Sequence, residues 1–69
     1  MKIEFEKEAD GRWIAEVPSL PGVMAYGKTK QEAQRKVSAI ALRTLADKIE
    51  HGSTPSSVAR LFTYGLVRS

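Results

Sequence analysis

Apolar and polar residues alternate along the first part of the chain, with the two-residue period of a half-buried β-strand. Within residues 2–8, Ile3 and Phe5 fall on one side, and charged residues occupy the other. A second apolar stretch, residues 13–17, follows after a short segment, residues 9–11, that contains a glycine. The pattern therefore predicts two strands joined as a β-hairpin.

The apolar pattern also predicts the register of this hairpin. A three-residue loop pairs Phe5 with Ala15 and keeps the apolar side chains of both strands on one face, whereas a two-residue turn would divide them between faces. We therefore predict the three-residue loop, with Gly11 in the left-handed conformation that a bulge requires. This register also sets Glu4 opposite Glu16, which is an unfavourable pair of like charges.

A turn and a third strand follow the hairpin. Pro18 and Pro21 flank Leu20, and Pro21-Gly22 is a strong turn signal. We predict that the chain reverses there and continues as a short strand at residues 23–26. Proline and glycine explain this loop as a turn that places Leu20 in the core, although the loop is also a candidate contact for a partner.

The next segment has the features of one long helix. Thr29 and Glu32 have the spacing of a capping box, in which both side chains accept hydrogen bonds from backbone N–H groups at the helix start. We expect the helix to span residues 30–50 and to end at Gly52. A stripe with helical spacing is predicted to pack on the sheet, and it consists of Ala33, Val37, Ile40, Ala41 and Thr44.

A second apolar row lies on a different side of this helix. Leu42, Ala46 and Ile49 are spaced at i, i+4 and i+7. The row requires cover, and we expect the C-terminal segment and another subunit each to supply a part of it. Within that segment, residues 58–64 are rich in β-branched and aromatic side chains, which favours a strand. The spacing of its apolar residues also fits a helix capped by Ser57.

These elements predict an α+β fold in the order β-β-β-α-β, with a three- to four-stranded, mainly antiparallel sheet and one helix packed on one face. The other face then lies open unless a partner covers it. Ile14, Met24 or Ala25, and alternate residues of the last strand are expected on that open surface.

Composition limits how such a fold can be stabilised. The chain has 69 residues, no cysteine and a single histidine, so it can form neither a disulfide nor an ordinary structural zinc site. Domains of this size rarely bury enough apolar surface on their own. We therefore expect a homodimer or a larger oligomer.

Charge and hydropathy narrow the choice of partners. The net charge is +3, but the basic residues are interleaved with acidic ones, so charge alone does not indicate a nucleic-acid-binding protein. No apolar run approaches the roughly 18 residues of a membrane span, and the first residues do not resemble a signal peptide. We expect a cytoplasmic protein with no membrane contact.

Catalysis is not expected. His51 lies at the predicted C-terminal end of the helix, where an imidazole interacts favourably with the helix dipole. No recognisable set of nucleophile, base or metal ligands accompanies it. We therefore predict no enzyme activity and no cofactor.

Two motifs carry a family resemblance. Residues 10–22 read DGRWIAEVPSLPG, and Gly27-Lys28-Thr29 precedes Glu32-Ala33 at the start of the helix. This arrangement resembles the N-terminal domain of HicB-type antitoxins, in which a strand ends in an "evPxLPG" motif and "GxTxxEA" opens the helix. The resemblance spans about residues 3–50. Val23 stands where family members often carry cysteine.

The resemblance implies a domain that binds and neutralises a small, RNA-cleaving HicA-like toxin protein. Complete family members usually continue into a DNA-binding segment, whereas only a short stretch follows Gly52 here. We therefore expect residues 1–69 to form one HicB-like domain with no separate C-terminal DNA-binding domain. Two alternatives remain open, namely a small nucleic-acid-binding module that uses a basic helix face and an orphan dimeric HicB-like domain.

The candidate site residues follow from these expectations. The candidate partner-binding residues are Trp13, Ile14, Leu20, Pro21 and Tyr26. Trp13 has an alternative role as a core aromatic beside Phe5. The candidate oligomer interface consists of Leu42, Ala46, Ile49, Leu61, Phe62 and Tyr64.

Overall fold

The computed structural model describes residues 1–62 and Gly65. Its elements are three strands, β1 (Glu4–Lys7), β2 (Trp13–Glu16) and β3 (Met24–Gly27), a long helix α1 (Lys30–Glu50) and a single-turn helix α2 (Ser56–Ala59). The strands form one antiparallel sheet in the order β1-β2-β3, and α1 packs across β3 and β2. The α+β architecture of a three-stranded sheet followed by one packed helix is thereby confirmed.

The β1–β2 hairpin has the predicted register. Phe5 lies opposite Ala15, and the Glu8 N–H donates a hydrogen bond of 2.7 Å to the Arg12 carbonyl oxygen at the end of the ladder. Gly11 closes the three-residue loop with a φ of +91°, and its N–H donates to the Glu8 carbonyl oxygen. A residue with a Cβ would be strained in this conformation, which is why the loop requires glycine.

The connection from β2 to β3 is a turn built by Pro21 and Gly22. The Val23 N–H donates to the Leu20 carbonyl oxygen across 3.0 Å, and Gly22 has a φ of +87°. Proline in the second position and a positive φ in the third define a type II turn. Leu20 is turned into the core, where it is 6% exposed.

Helix α1 begins and ends at the predicted residues. At its start, the Glu32 N–H donates to the Thr29 Oγ1 at 3.0 Å, and the Glu32 carboxylate accepts from the Lys28 N–H at 3.3 Å. The carboxylate thus reaches one residue further back than in the usual capping box.

The C-terminal end of α1 is a Schellman motif. The Ser53 N–H donates to the Lys48 carbonyl oxygen and the Gly52 N–H donates to the Ile49 carbonyl oxygen. Gly52 adopts the required left-handed conformation, with a φ of +88°. These two bonds satisfy carbonyl groups that would otherwise have no partner, so the helix ends where the first glycine after it occurs.

The core between helix and sheet is built from small side chains. Its buried members are Ala15, Val17, Leu20, Val23, Ala25, Ala33, Val37, Ala41, Leu45 and Val58. Thr44 and Ile40, which the predicted stripe included, are only partly buried, whereas Leu45, which it omitted, is 4% exposed. Small residues allow the helix to approach the sheet closely, and they leave the larger apolar side chains at the margin or outside.

The predicted fourth strand is wrong over the residues that the structure describes. Val58 and Ala59 lie in α2, and residues 60–62 form no strand. The reason is that one helical turn after Pro55 places Val58 in the core, where it is 3% exposed. Pro55, with no side-chain cap, holds the N-cap position predicted for Ser57. The rest of the predicted strand, apart from Gly65, lies outside the described residues.

Candidate functional site

One face of the sheet carries the helix, and the other has no element packed on it within the described part of the chain. Side chains alternate between the two faces along each strand, so the register assigns every strand residue to a side. The side away from the helix, here called the open face, consists of Glu4, Glu6, Ile14, Glu16, Met24 and Tyr26.

The open face is acidic at one end. Glu4 lies directly opposite Glu16, and Glu6 lies opposite Ile14. These three carboxylates are exposed, and they line a shallow hollow of about 220 Å³ together with Ile14 and Met24. Directly opposed like charges destabilise a sheet, so this pair costs stability in the free chain. The predicted Glu4–Glu16 pairing is confirmed.

The other end of the open face is aromatic. The Arg12 guanidinium lies 4.8 Å from the centroid of the Tyr26 ring, and its Nε donates to the Asp10 Oδ2 at 2.8 Å. The Asp10 carboxylate also accepts from the Arg12 backbone N–H. That backbone hydrogen bond, helped by the side-chain bond and the charge of the guanidinium, lowers the pKa of Asp10 below its ordinary value. Arg12 is thus fixed at both ends, and it stacks on a Tyr26 ring that remains 43% exposed.

The predicted partner-binding residues lie in four different places. Ile14 and Tyr26 are neighbours on the open face, where β2 pairs with β3. Trp13 lies on the helix side, half-buried at the edge of the core, with the Lys7 Nζ 6.0 Å from its ring centroid. Leu20 is buried in the core, and Pro21 is exposed on the turn.

The acidic part of the open face was missed from the sequence. The predicted register already placed Glu4 opposite Glu16, but we interpreted that pair only as an unfavourable contact. The same alternation assigns Glu6 to the same side of β1, so the signal for an acidic surface was present in the strand pattern.

The predicted oligomer residues are exposed where the structure describes them. Leu42 is 62% exposed, Ile49 is 44% exposed, and Ala46 between them is also exposed. Leu61 is 65% exposed and Phe62 is 57% exposed. Tyr64, the last residue of this set, lies outside the described residues.

The basic residues of the helix do not form one uninterrupted surface. The Lys36 ammonium forms an ion pair of 3.2 Å with Glu32, and the Lys30 ammonium lies 4.9 Å from the Phe5 ring centroid. Arg35 is exposed on another side of the helix.

His51 occupies the C-cap position of α1. Its Nδ1 lies 2.7 Å from the Asp47 carbonyl oxygen and 3.4 Å from an oxygen of the Asp47 carboxylate. Both contacts fit a side chain that caps the carbonyl end of the helix. Among the described residues, no group of three or more histidine, aspartate or glutamate side chains is arranged to hold a metal ion.

Comparisons with known proteins give no assignment. Searches of family models, of curated proteins and of solved structures found no match to this chain. Within the described residues, no helix combines the length and the apolar character needed to cross a membrane.

Proposed function

We propose that this chain is an antitoxin-like interaction module that neutralises a small RNA-cleaving toxin by binding it and covering its RNA-binding surface. The observation that carries the proposal is the open face, where three glutamates lie beside Ile14, Met24 and Tyr26. A surface of this kind fits a basic protein. The chain supplies no chemistry of its own in this role.

The negative charge of the open face is complementary to the basic surface of a partner protein that binds RNA. An RNA-cleaving enzyme must attract phosphate groups, and it does so with lysine and arginine side chains. Glu4, Glu6 and Glu16 offer these cations an alternative set of anions. A lysine or arginine placed between Glu4 and Glu16 also removes the like-charge repulsion that the free sheet bears.

The apolar part of the face supplies the contact area. Ile14 is half-buried at the centre, and Met24 and Tyr26 are 44% and 43% exposed on the neighbouring strand. Tyrosine is enriched among the side chains that dominate binding energy, and Met adapts to irregular surfaces. Because Arg12 stacks on the ring, Tyr26 loses little conformational freedom on binding.

The sequence motifs give independent support. The β-β-β-α order and the Pro-Gly turn before β3 agree with the arrangement implied by the resemblance to HicB-type antitoxins. In that arrangement the helix covers one side of the sheet, so the other side is the surface left for a toxin.

The first test is co-expression with the product of the adjacent reading frame. We expect that product to be a small basic protein that arrests growth, and we expect this chain to restore growth and to co-purify with it. A non-toxic neighbour, or a toxic neighbour that this chain neither binds nor neutralises, would contradict the proposal.

The second test locates the binding surface. The triple variant Glu4→Gln, Glu6→Gln, Glu16→Gln keeps the shape of the open face and removes its charge, so the affinity for the toxin should fall by about tenfold to a hundredfold. Asp47→Asn changes an exposed carboxylate on the helix and serves as the matched control. Isothermal titration calorimetry at two salt concentrations measures the affinity of the triple variant and of the control for the toxin.

The apolar contribution is tested separately. Tyr26→Ala should weaken binding by on the order of tenfold or more, because it removes a partly exposed aromatic anchor. Leu42→Ala removes a similarly exposed apolar side chain from the helix and should leave the affinity of each single contact with the toxin unchanged. Equal affinities of the two variants would show that the toxin does not bind through the open face.

A further inference from the structure

Helix α1 carries an apolar row that faces neither the sheet nor the open face. Leu42, Ala46 and Ile49, here called the helix ridge, are exposed. At about 100° of rotation per residue, Leu42 lies about 100° around the helix from the buried Ala41 and about 140° from the buried Val37. The ridge therefore points sideways from the domain.

An apolar groove lies beside this ridge. Because α1 packs over β3 and β2, the helix side of β1 is left partly uncovered. The resulting groove has a volume of about 240 Å³, with Ile3 and Val17 on the sheet wall and Leu42 and Leu45 on the helix wall. Leu61, which is 65% exposed, also lines it.

We propose that the occupant of this surface is a second copy of the chain, whose α1 packs antiparallel to the first across a two-fold axis near Leu42. Leu42 belongs to both the ridge and the groove, so a single surface offers a projection next to a recess. A two-fold axis near Leu42 sets the two Leu42 side chains against each other, with the groove of each copy beside that contact. The small side chains of Ser38 and Ala46 flank Leu42 on the helix and allow the two helices to approach to about 8–10 Å.

The charges on the flank of the ridge determine the orientation. Arg35 lies seven residues before Leu42, and Glu50 lies eight residues after it, on the same flank of the helix. Antiparallel pairing about Leu42 therefore places Arg35 level with Glu50 of the second copy, to within about one residue rise of 1.5 Å. The two-fold axis repeats this pair. Parallel pairing would instead leave Arg35 and Glu50 of the two copies 15 residues apart along the helix axis, about 22 Å, which is too far for an ion pair.

Both charged residues are available for such a contact. Arg35 and Glu50 are exposed, and neither forms an ion pair within residues 1–62. The nearest alternative acid for Arg35 on its own helix, Glu32, is already engaged by the Lys36 ammonium and the Lys28 N–H.

The oligomeric state of the full chain is the primary test. Sedimentation equilibrium over a wide range of protein concentration should give a reversible dimer for the wild type. Leu42→Glu should raise the dimer Kd by on the order of a hundredfold, since it sets two carboxylates together at the centre of an apolar contact. Leu42 is exposed in the single chain, so circular dichroism should show the same helix content as the wild type at low concentration. A monomeric wild type, or a dimer unaffected by Leu42→Glu, would overturn the proposal.

A charge-exchange series tests the antiparallel register. Arg35→Glu and Glu50→Arg should each raise the dimer Kd by about tenfold, because each sets like charges together at two symmetric positions. The double variant should return to within about threefold of the wild type, since it restores opposite charges. Lys48→Glu makes the same change of charge on a different side of the helix and should have no effect. Additive losses in the double variant would refute the register. Toxin binding uses the open face, so failure of the toxin assay would leave these results intact.

Discussion

Gly27 lies against the backbone of Ala33, so that a Cβ on Gly27 would overlap the Ala33 amide nitrogen and come within 2.9 Å of the Thr29 carbonyl oxygen. Backbone atoms in the first turn of a helix cannot rotate away as a side chain can. This contact therefore fixes how closely α1 follows β3, and glycine is the residue that permits it.

The Gly27→Ala variant should lower the free energy of unfolding by about 1–3 kcal/mol, which is the usual cost of added volume in a packed site. Urea unfolding measures it. Gly65→Ala is the matched control, because a Cβ at Gly65 meets nothing within 4 Å. If the two variants were equally stable, the close approach of strand and helix would not exist in solution.

The helix N-cap is expected to contribute through one hydroxyl group. Thr29→Ala removes the acceptor of the Glu32 N–H bond, and it should cost about 1 kcal/mol of stability. Thr29→Ser keeps that acceptor and should lie close to the wild type. A loss of the same size in both variants would assign the effect to the threonine methyl group instead.

Stability should depend on pH through Glu32. The hydrogen bond from the Lys36 ammonium, and then the one from the Lys28 N–H, lower the pKa of Glu32 below its ordinary value of 4.5. A carboxyl with a lowered pKa in the folded state stabilises the fold above pH 4.5, and this contribution is lost as the pH falls below that value. Glu32→Gln retains an acceptor for the Lys28 N–H but does not titrate, so its stability should fall less steeply below pH 4.5.

The comparison is made by urea unfolding at several pH values. In a Lys36→Gln background, the difference between glutamate and glutamine at position 32 should shrink, because Lys36 is the largest cause of the shift. Parallel pH profiles for the wild type and Glu32→Gln would contradict the ion pair.

Helix α2 should contribute to stability through Val58. This side chain is 3% exposed in the core, so Val58→Ala is expected to cost about 1–3 kcal/mol from lost burial and the cavity that remains. Arg60→Ala, at an exposed neighbouring position, should change stability by less than about 0.5 kcal/mol. Thermal unfolding followed by circular dichroism compares them. A neutral Val58→Ala would show that α2 is not docked on the core.

Local rules account for the parts of the fold that the sequence predicted correctly. The hairpin register follows from keeping Phe5 and Ala15 on one face, and the loop follows from a glycine with positive φ. The limits of α1 follow from Thr29 and Gly52, whose backbone and side-chain roles depend on their immediate neighbours alone.

Features that depend on distant contacts were harder to predict. Val58 has a β-branched side chain that favours a strand, but its burial is achieved by one helical turn, which only the position of the core determines. Leu45 is different, because it continues the four-residue spacing of Val37 and Ala41, and the predicted stripe included Thr44 in its place. The acidic surface could be recognised only from two observations together. The register places Glu4, Glu6 and Glu16 on one side of the sheet, and no element among the described residues covers that side.

The helix ridge and the open face do not overlap, and this has a consequence for assembly. A pair of chains joined along α1 would display two acidic sheets, each reachable without disturbing the other. Such a pair could bind two basic proteins at once. A target that is itself dimeric would be bound through both of its subunits, with an avidity well above the affinity of either single contact.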